Sequence, residues 1–169
     1  MTNAAGPERV RVNVTVNGRA VDVDVETGDF LIDVLRERLG LTGTKRSCDT
    51  QVCGACTVLL DGQPVSSCTV LAWEARGRTV DTIEGLARDG RLHPVQEAFL
   101  EASAFQCGFC TPGMIMTVKA LLDEHADASN ETARAWLRGN ICRCTGYVSI
   151  LAAVRSAQRR LREARASAP

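Results

Sequence analysis

The sequence predicts an α+β chain in two parts, a strand-rich N-terminal domain followed by an all-helical C-terminal domain folded as a small four-helix bundle. Three observations support this prediction: valines that alternate along the first segments, apolar residues at helical spacing after about residue 80, and eight cysteines in two groups of four. A length of 169 residues permits two small domains. We place them at residues 8–82 and 83–165, on either side of the change in pattern.

The N-terminal part opens with a predicted β-hairpin. Valines occupy alternate positions in residues 10–16 and again in residues 21–25, which is the period of a half-buried strand. Asn17-Gly18 lies between the two runs and supplies the positive backbone angles of a two-residue turn. Residues 58–62 end in Asp-Gly and predict a further strand and turn.

One helix is predicted between these strands. Apolar residues from Phe30 to Leu39 recur at helical spacing, and Gly40 is placed to end the helix. Strands that enclose one helix and a cysteine-bearing loop are typical of an α+β domain.

Four helices are predicted in the C-terminal part. They cover residues 94–101, a segment starting at Pro112 with Thr111 as its cap, a segment capped by Asn130 and closed by Gly139, and residues 148–165. Thr and Asn side chains accept hydrogen bonds from free N–H groups at a helix start, and proline is tolerated at the first position. The cysteines of this part lie at the ends of these helices.

Charge and hydropathy exclude several classes of function. Twenty Lys and Arg residues balance twenty Asp and Glu residues, whereas a nucleic-acid binder needs a basic excess. No apolar run approaches the roughly 20 residues of a transmembrane helix, and the first residues lack the apolar core of a signal peptide. We therefore expect a cytoplasmic protein, in which cysteines are more often metal ligands than disulfides.

The first group of cysteines consists of Cys48, Cys53, Cys56 and Cys68. The C-x4-C-x2-C spacing with a distant fourth cysteine is that of plant-type 2Fe–2S ferredoxins. Gly54 and Ala55 lack bulk, so backbone N–H groups have room to approach the sulfurs. A structural zinc site is the alternative, although zinc ribbons favour two separated C-x2-C pairs.

The second group consists of Cys107, Cys110, Cys142 and Cys144. Its spacing alone leaves three interpretations open: a second 2Fe–2S cluster, a zinc site, or a thioredoxin-like redox pair at Cys107 and Cys110. The redox pair leaves the C-x-C segment at residues 142–144 unexplained, and no βαβ pattern precedes it. A C-x-C segment is also unusual for zinc, so the spacing favours a cluster.

Longer motifs surround both groups. They are Thr44-Lys45, CGACTV at residues 53–58, QCGFCTPG at residues 106–113 and NICRCTGY at residues 140–147. These motifs resemble the iron–sulfur subunit of molybdenum hydroxylases, the xanthine oxidase family, which includes aerobic carbon monoxide dehydrogenases and bacterial N-heterocycle hydroxylases. The resemblance spans roughly residues 10–157.

The resemblance implies a β-grasp ferredoxin-like domain and a four-helix domain, each holding one 2Fe–2S cluster. It also implies a large subunit with a molybdopterin-type molybdenum cofactor and a medium subunit with FAD, assembled as a dimer of heterotrimers. The second cluster would lie beside the pterin, which Gln106 and Cys144 would contact, and the first would face the FAD. The chain would relay single electrons between these partners and contain no catalytic residue of its own.

Two other functions remain open at the level of sequence. A free-standing ferredoxin-like carrier is one, although it would not need the helical part, and a zinc-stapled interaction module is the other. The chain departs from the family pattern at Ser47 and Gln51, where many members have glycine. Larger residues fit at these positions if their side chains point outward.

Overall fold

The computed structural model describes residues 8–166, and the N-terminal part of the chain is a five-stranded mixed sheet. The strands are β1 (Arg9–Val16), β2 (Arg19–Glu26), β3 (Thr57–Leu60), β4 (Gln63–Ser66) and β5 (Thr79–Asp81). Their order across the sheet is β2-β1-β5-β3-β4. Strands β1 and β5 are parallel, and the other neighbouring pairs are antiparallel.

The predicted N-terminal hairpin is confirmed. Val16 pairs with Arg19 across a two-residue turn in which Asn17 and Gly18 have φ angles of 50° and 77°. The Asn17 side chain accepts a hydrogen bond from the Thr82 N–H at 2.8 Å and donates one to Thr82 Oγ1 at 3.0 Å. The turn is thereby tied to the segment that follows β5.

The predicted helix after the hairpin is also present, but its form differs. An α-helical turn, α1 (Leu31–Asp33), continues as a π-helix over Val34–Arg38, and Gly40 follows with φ 68°. Buried side chains of the helix pack with the inward-facing valines of the sheet. The apolar spacing over so short a segment does not distinguish the two helix types.

The C-terminal part consists of helices joined by loops. They are α2 (Pro94–Glu101), α3 (Thr111–Glu124), α4 (Asn130–Trp136) and α5 (Val148–Ala166). Short 3-10 helices cover Ala72–Ala75, Ile83–Gly85 and Leu137–Gly139. Helix α2 packs against α5 and α3, and α4 packs against α3 and α5. Helix α3 also contacts β3 and β4, so this helix joins the two parts.

Two predicted helix caps are wrong by one residue. Ser129 caps α4, since its hydroxyl accepts a hydrogen bond from the Thr132 N–H at 3.1 Å, and Asn130 is the first helical residue. Thr111 is the first residue of α3, and its buried hydroxyl has no hydrogen-bond partner within residues 8–166. Adjacent polar residues look equally suitable in sequence, and only the backbone path selects one.

Each part has its own main apolar core. One lies between the sheet and the helix after β2, and the other lies among the helices and includes Phe99, Met114 and Ile150. Leu59 of β3 belongs to the helical core, which again links the two parts. Within residues 8–166, no helix combines the length and the apolar character that crossing a bilayer would require.

Candidate metal centres

The first group of cysteines lies at one end of the β3–β4 hairpin. Cys56 immediately precedes β3 and Cys68 follows β4, so the antiparallel pairing brings them together. Both are 2% exposed and pack with Ile32. Cys48 and Cys53 lie in the preceding loop and are half-buried.

The loop that bears Cys48 and Cys53 winds closely around the sulfurs. Gln51 and Gly54 take φ angles of 61° and 66° there, in the left-handed region. The Cys53 N–H lies 3.4 Å from Cys48 Sγ, and N–H donors from Thr50 first and then Cys53 lower the pKa of Cys48 to about 6. Donors that stabilise a thiolate also stabilise the added negative charge of a reduced cluster.

Cys68 behaves in the opposite way. Burial first, and then the neighbouring Cys56 and Cys48 thiols, raise the pKa of the Cys68 thiol to about 11, against the lowering effect of a hydrogen bond from the Gln51 backbone. Several thiolates confined together repel one another, and a bound cation relieves that repulsion because a coordinating thiol is deprotonated. The donor set therefore suits iron better than it suits four free thiols.

The second group is assembled from two loops that precede helices. Cys107 and Cys110 lie ahead of α3, and Cys142 and Cys144 lie ahead of α5. Cys107 Sγ and Cys144 Sγ are 3.6 Å apart, and both residues are exposed. Cys110 and Cys142 lie deeper, where burial first and the Cys142 thiol second raise the pKa of Cys110 to about 12.

The sulfur of Cys142 receives several hydrogen bonds. Thr145 Oγ1 lies 3.2 Å from Cys142 Sγ. Burial by itself raises the pKa of Cys142, but hydrogen bonds from Thr145 and from the Cys144 N–H outweigh it and lower the pKa. The Tyr147 hydroxyl accepts the Cys142 N–H at 3.0 Å and donates to the Asn140 carbonyl at 2.9 Å.

Both groups fit a 2Fe–2S cluster, in which each of two irons takes two thiolates. The Cys56 thiol neighbours that of Cys68, the Cys142 thiol neighbours that of Cys110, and Cys107 Sγ lies 3.6 Å from Cys144 Sγ. In the part of the chain that the structure describes, no three His, Cys, Asp or Glu side chains are grouped to hold one metal ion. Each group therefore gathers four thiols, the number that a 2Fe–2S cluster requires.

A backbone hydrogen bond connects the two groups. The N–H of Ile141 donates to the carbonyl of Cys53, with 2.9 Å between N and O. Ile141 immediately precedes Cys142. A cysteine of the first group is therefore linked to a cysteine of the second by one hydrogen bond and a few covalent bonds.

Buried Asn140 holds this connection in place. Its Nδ2 donates to the Gly54 carbonyl at 3.0 Å, and its Oδ1 accepts the Thr117 hydroxyl at 2.8 Å. Side chains are excluded on both sides, since a Cβ on Gly54 would lie 2.2 Å from the Gly139 oxygen. A Cβ on Gly113 would likewise lie 2.2 Å from the Gly54 oxygen. The two parts of the chain thus meet backbone to backbone.

The two residues expected to contact a pterin, Gln106 and Cys144, lie side by side. Gln106 Nε2 donates to the Cys144 carbonyl at 3.1 Å, and both residues are exposed. Large apolar side chains next to the cysteines of this group are exposed as well, with Phe109 at 46% and Ile141 at 48%. The second group therefore lies at an open, partly apolar surface.

Three residues at these sites are not predicted from the sequence. Asn140 holds the junction, and Thr145 and Tyr147 form the surroundings of Cys142. The signal that was available is their position, since polar residues with side-chain donors flank a C-x-C segment directly. Their hydrogen-bond partners come from distant parts of the chain and cannot be inferred from spacing.

Two family models match the chain. One, described as a 2Fe-2S iron-sulfur cluster binding domain, matches residues 14–86, and the other, described as a 2Fe-2S binding domain, matches residues 82–155. Fold and sites together therefore define a protein with two 2Fe–2S-binding domains.

Similar proteins and solved structures identify the family within this class. The nicotinate dehydrogenase small FeS subunit of Eubacterium barkeri is 48% identical over 152 residues, covering 90% of this chain and 97% of that subunit. Quinoline 2-oxidoreductase from Pseudomonas putida 86 superposes with a TM-score of 0.88 at 41% identity, covering 92% of this chain and 97% of that chain. Aldehyde oxidoreductase from Desulfovibrio gigas gives the same TM-score of 0.88 and identity of 41%, but the match spans 17% of that longer chain.

The chain belongs to the iron–sulfur small subunits of the molybdenum hydroxylases, in the xanthine oxidase family. It is an electron-transfer subunit of an oxidoreductase complex. A free-standing carrier and a zinc-stapled module, the two other functions open to the sequence, are not favoured by these relatives.

Proposed function

We propose that this chain relays electrons from a molybdopterin-type molybdenum cofactor on a large subunit to FAD on a medium subunit. The first 2Fe–2S cluster is held by Cys48, Cys53, Cys56 and Cys68 in a domain of residues 8–82. The second is held by Cys107, Cys110, Cys142 and Cys144 in a domain of residues 83–165, which is organised as a four-helix bundle. Each bound cluster supplies one-electron chemistry, so a two-electron event is divided into single steps.

The observation that carries this proposal is the hydrogen bond between Ile141 N–H and the Cys53 carbonyl, at 2.9 Å. Electron tunnelling weakens with distance and is favoured along bonds over gaps. A path from Cys142 through Ile141 to Cys53 consists of covalent bonds and this one hydrogen bond. The buried Asn140 keeps the path at a fixed length.

The place of the large subunit is supported by the open surface around the second group. Gln106 and Cys144 are exposed there, beside the apolar side chains of Phe109 and Ile141. Exposed apolar side chains with polar neighbours are typical of protein interfaces. We assign this face to the large subunit and its pterin, with Gln106 and Cys144 as the contacts.

The loop of the first group supplies the other contact surface. Val52 is 59% exposed, and Cys48 in the same loop is half-buried. We assign this loop to the medium subunit and its FAD. The subunits would assemble as a dimer of heterotrimers in the cytoplasm.

The substrate would be chosen by the large subunit, because no residue of this chain is proposed to be catalytic. Relatives are named for N-heterocycles, such as nicotinate and quinoline, and for aldehydes. Nicotinate, quinoline and an aliphatic aldehyde are therefore the probes with which the purified complex is first assayed. The probe that is oxidised serves as the substrate in the kinetic tests below.

Metal content and visible absorbance test the proposal. The complex purified with this chain should contain two irons and two acid-labile sulfides for each group of cysteines. Cys68→Ser and Cys110→Ser should each remove half of the iron and half of the labile sulfide that this chain holds. Each variant is therefore the control for the other. Stoichiometric zinc without labile sulfide, or purification without larger subunits, would contradict it.

A further inference from the structure

A threonine hydroxyl points at a sulfur of the second group of cysteines. Thr145 Oγ1 lies 3.2 Å from Cys142 Sγ, within the distance of an O–H···S hydrogen bond, and the threonine is half-buried. Partial burial matters because a hydrogen bond is electrostatically stronger away from bulk water.

The environment of Thr145 directs its proton to the sulfur. The Tyr147 N–H donates to Thr145 Oγ1 at 3.2 Å, so a lone pair of the oxygen is occupied and the single hydroxyl proton remains for Cys142 Sγ. Tyr147 adopts a φ of 67° here, which is unfavourable for a non-glycine residue. Hydrogen bonds in such a chain polarise one another.

The same tyrosine holds the backbone of Cys142. Its hydroxyl accepts the Cys142 N–H at 3.0 Å and donates to the Asn140 carbonyl at 2.9 Å. The Cys142 N–H is therefore directed at the phenol. Tyr147 thus fixes both partners of the O–H···S contact, one through its backbone and the other through its side chain.

A hydrogen bond to a ligand sulfur stabilises the reduced, more negative form of a cluster over the oxidised form. We propose that Thr145 is a positioning residue that acts through Cys142 to raise the reduction potential of the second cluster. The inference rests on the proposed function, since it requires Cys142 to be a cluster ligand. A higher potential makes this cluster a better acceptor for electrons that arrive from the molybdenum side.

The test is a redox titration of the purified complex, followed by EPR at low temperature. Thr145→Val keeps the shape of the side chain and removes the donor, and Thr145→Ser restores the hydroxyl. In the Val variant we expect about a tenfold fall in the ratio of reduced to oxidised second cluster at a given applied potential, which is about 59 mV for a one-electron couple. The first cluster should titrate as in the wild type. In the Ser variant the second cluster should regain the wild-type reduction potential.

An unchanged reduction potential of the second cluster in Thr145→Val would overturn the inference. An equal fall of that potential in Thr145→Ser would overturn it as well. If the Val variant assembles without the second cluster, Thr145→Ala provides the same comparison with more space in the loop. Loss of the cluster from both variants would also overturn it, because the hydroxyl would then serve assembly rather than potential. A wild-type complex without a second cluster would instead overturn the proposed function.

Discussion

The two groups of cysteines differ in what covers them. In the first group, Cys56 and Cys68 are 2% exposed, and a close-wound loop of the same domain surrounds the sulfurs. In the second, Cys107 and Cys144 are exposed at the surface. Two cysteines of the first site are buried within their own domain, whereas two cysteines of the second are open to solvent.

This difference suits the proposed relay, whose two ends face different partners. Under the proposed function, the open site would offer a short approach for a partner's cofactor, and the other site would hold its cluster partly buried. Between them lies a junction in which Gly54 and Gly113 allow the backbones to meet, and the Asn140 side chain bonds to the Gly54 carbonyl. Variants of the junction and of the two sites separate these roles.

Adding a methyl group at the Gly54 junction should have the largest effect on stability. In Gly54→Ala the new Cβ would lie 2.2 Å from the Gly139 oxygen, at a φ of 66°. Overpacking and left-handed strain together should destabilise the chain by about 3 kcal/mol or more, and lower the Tm by roughly 6–12 °C.

Gly139→Ala is the matched control for Gly54→Ala. A Cβ at position 139 meets nothing within 4 Å, so this variant should melt close to the wild type. Differential scanning fluorimetry of the loaded complex measures both. Equal melting of Gly54→Ala and Gly139→Ala would contradict a backbone-to-backbone junction.

Removing the Asn140 amide should have the next largest effect. Asn140→Ala leaves the buried Thr117 hydroxyl without its acceptor and removes one donor from the Gly54 carbonyl, which keeps those of Thr57, at a cost of about 2 kcal/mol. Electron transfer between the clusters should slow as well, because the distance between the domains is no longer fixed. The control is the exposed Asn130→Ala, and equal behaviour of the two variants in rapid-freeze EPR and in Tm would contradict this role.

At the open site, Gln106→Ala should slow electron transfer from the proposed partner and leave both clusters intact. Gln106 donates to the Cys144 carbonyl and is not a thiol ligand. Loss of one hydrogen bond should slow the reduction of the clusters by the substrate probe by up to about tenfold. Stopped-flow absorbance under anaerobic conditions measures this rate. Gln63→Ala, at the exposed start of β4, is the control. Loss of the second cluster from Gln106→Ala would show that the residue is structural.

At the first site, Gln51→Gly should have the smallest effect. Gln51 is exposed and takes a φ of 61°, which glycine adopts without strain. Relief of strain and the greater freedom of glycine in the unfolded chain oppose each other, so we expect stabilisation of about 1 kcal/mol at most. Gln63→Gly lies in a strand and should destabilise instead. A fall in Tm for Gln51→Gly would show that its side chain is needed at the loop.

Local signals explain how much of the fold the sequence could predict. The valine alternation and Asn17-Gly18 define the hairpin because strand period and turn angles are properties of neighbouring residues. The spacing of the first group of cysteines is equally local. Departures from the family pattern at Ser47 and Gln51 are accommodated as expected, since both residues are exposed.

The junction could not be predicted, because its residues are far apart in sequence. Asn140 and Gly54 are separated by 86 positions and meet only after both domains have folded. The unpartnered hydroxyl of Thr111 and the cap at Ser129 depend in the same way on the backbone path. Sequence periodicity contains no information on such contacts.

The order of the relay is tested most directly with Cys53→Ser. Serine is a harder and poorer ligand for iron than thiolate, so this variant should lose the first cluster, while the second keeps its four cysteines and its own core. The complex is mixed anaerobically with the probe that it oxidises. We predict that the EPR signal of the second cluster appears while the flavin absorbance stays that of oxidised FAD. Flavin reduction at the wild-type rate, in a variant shown to lack the first cluster, would contradict the account.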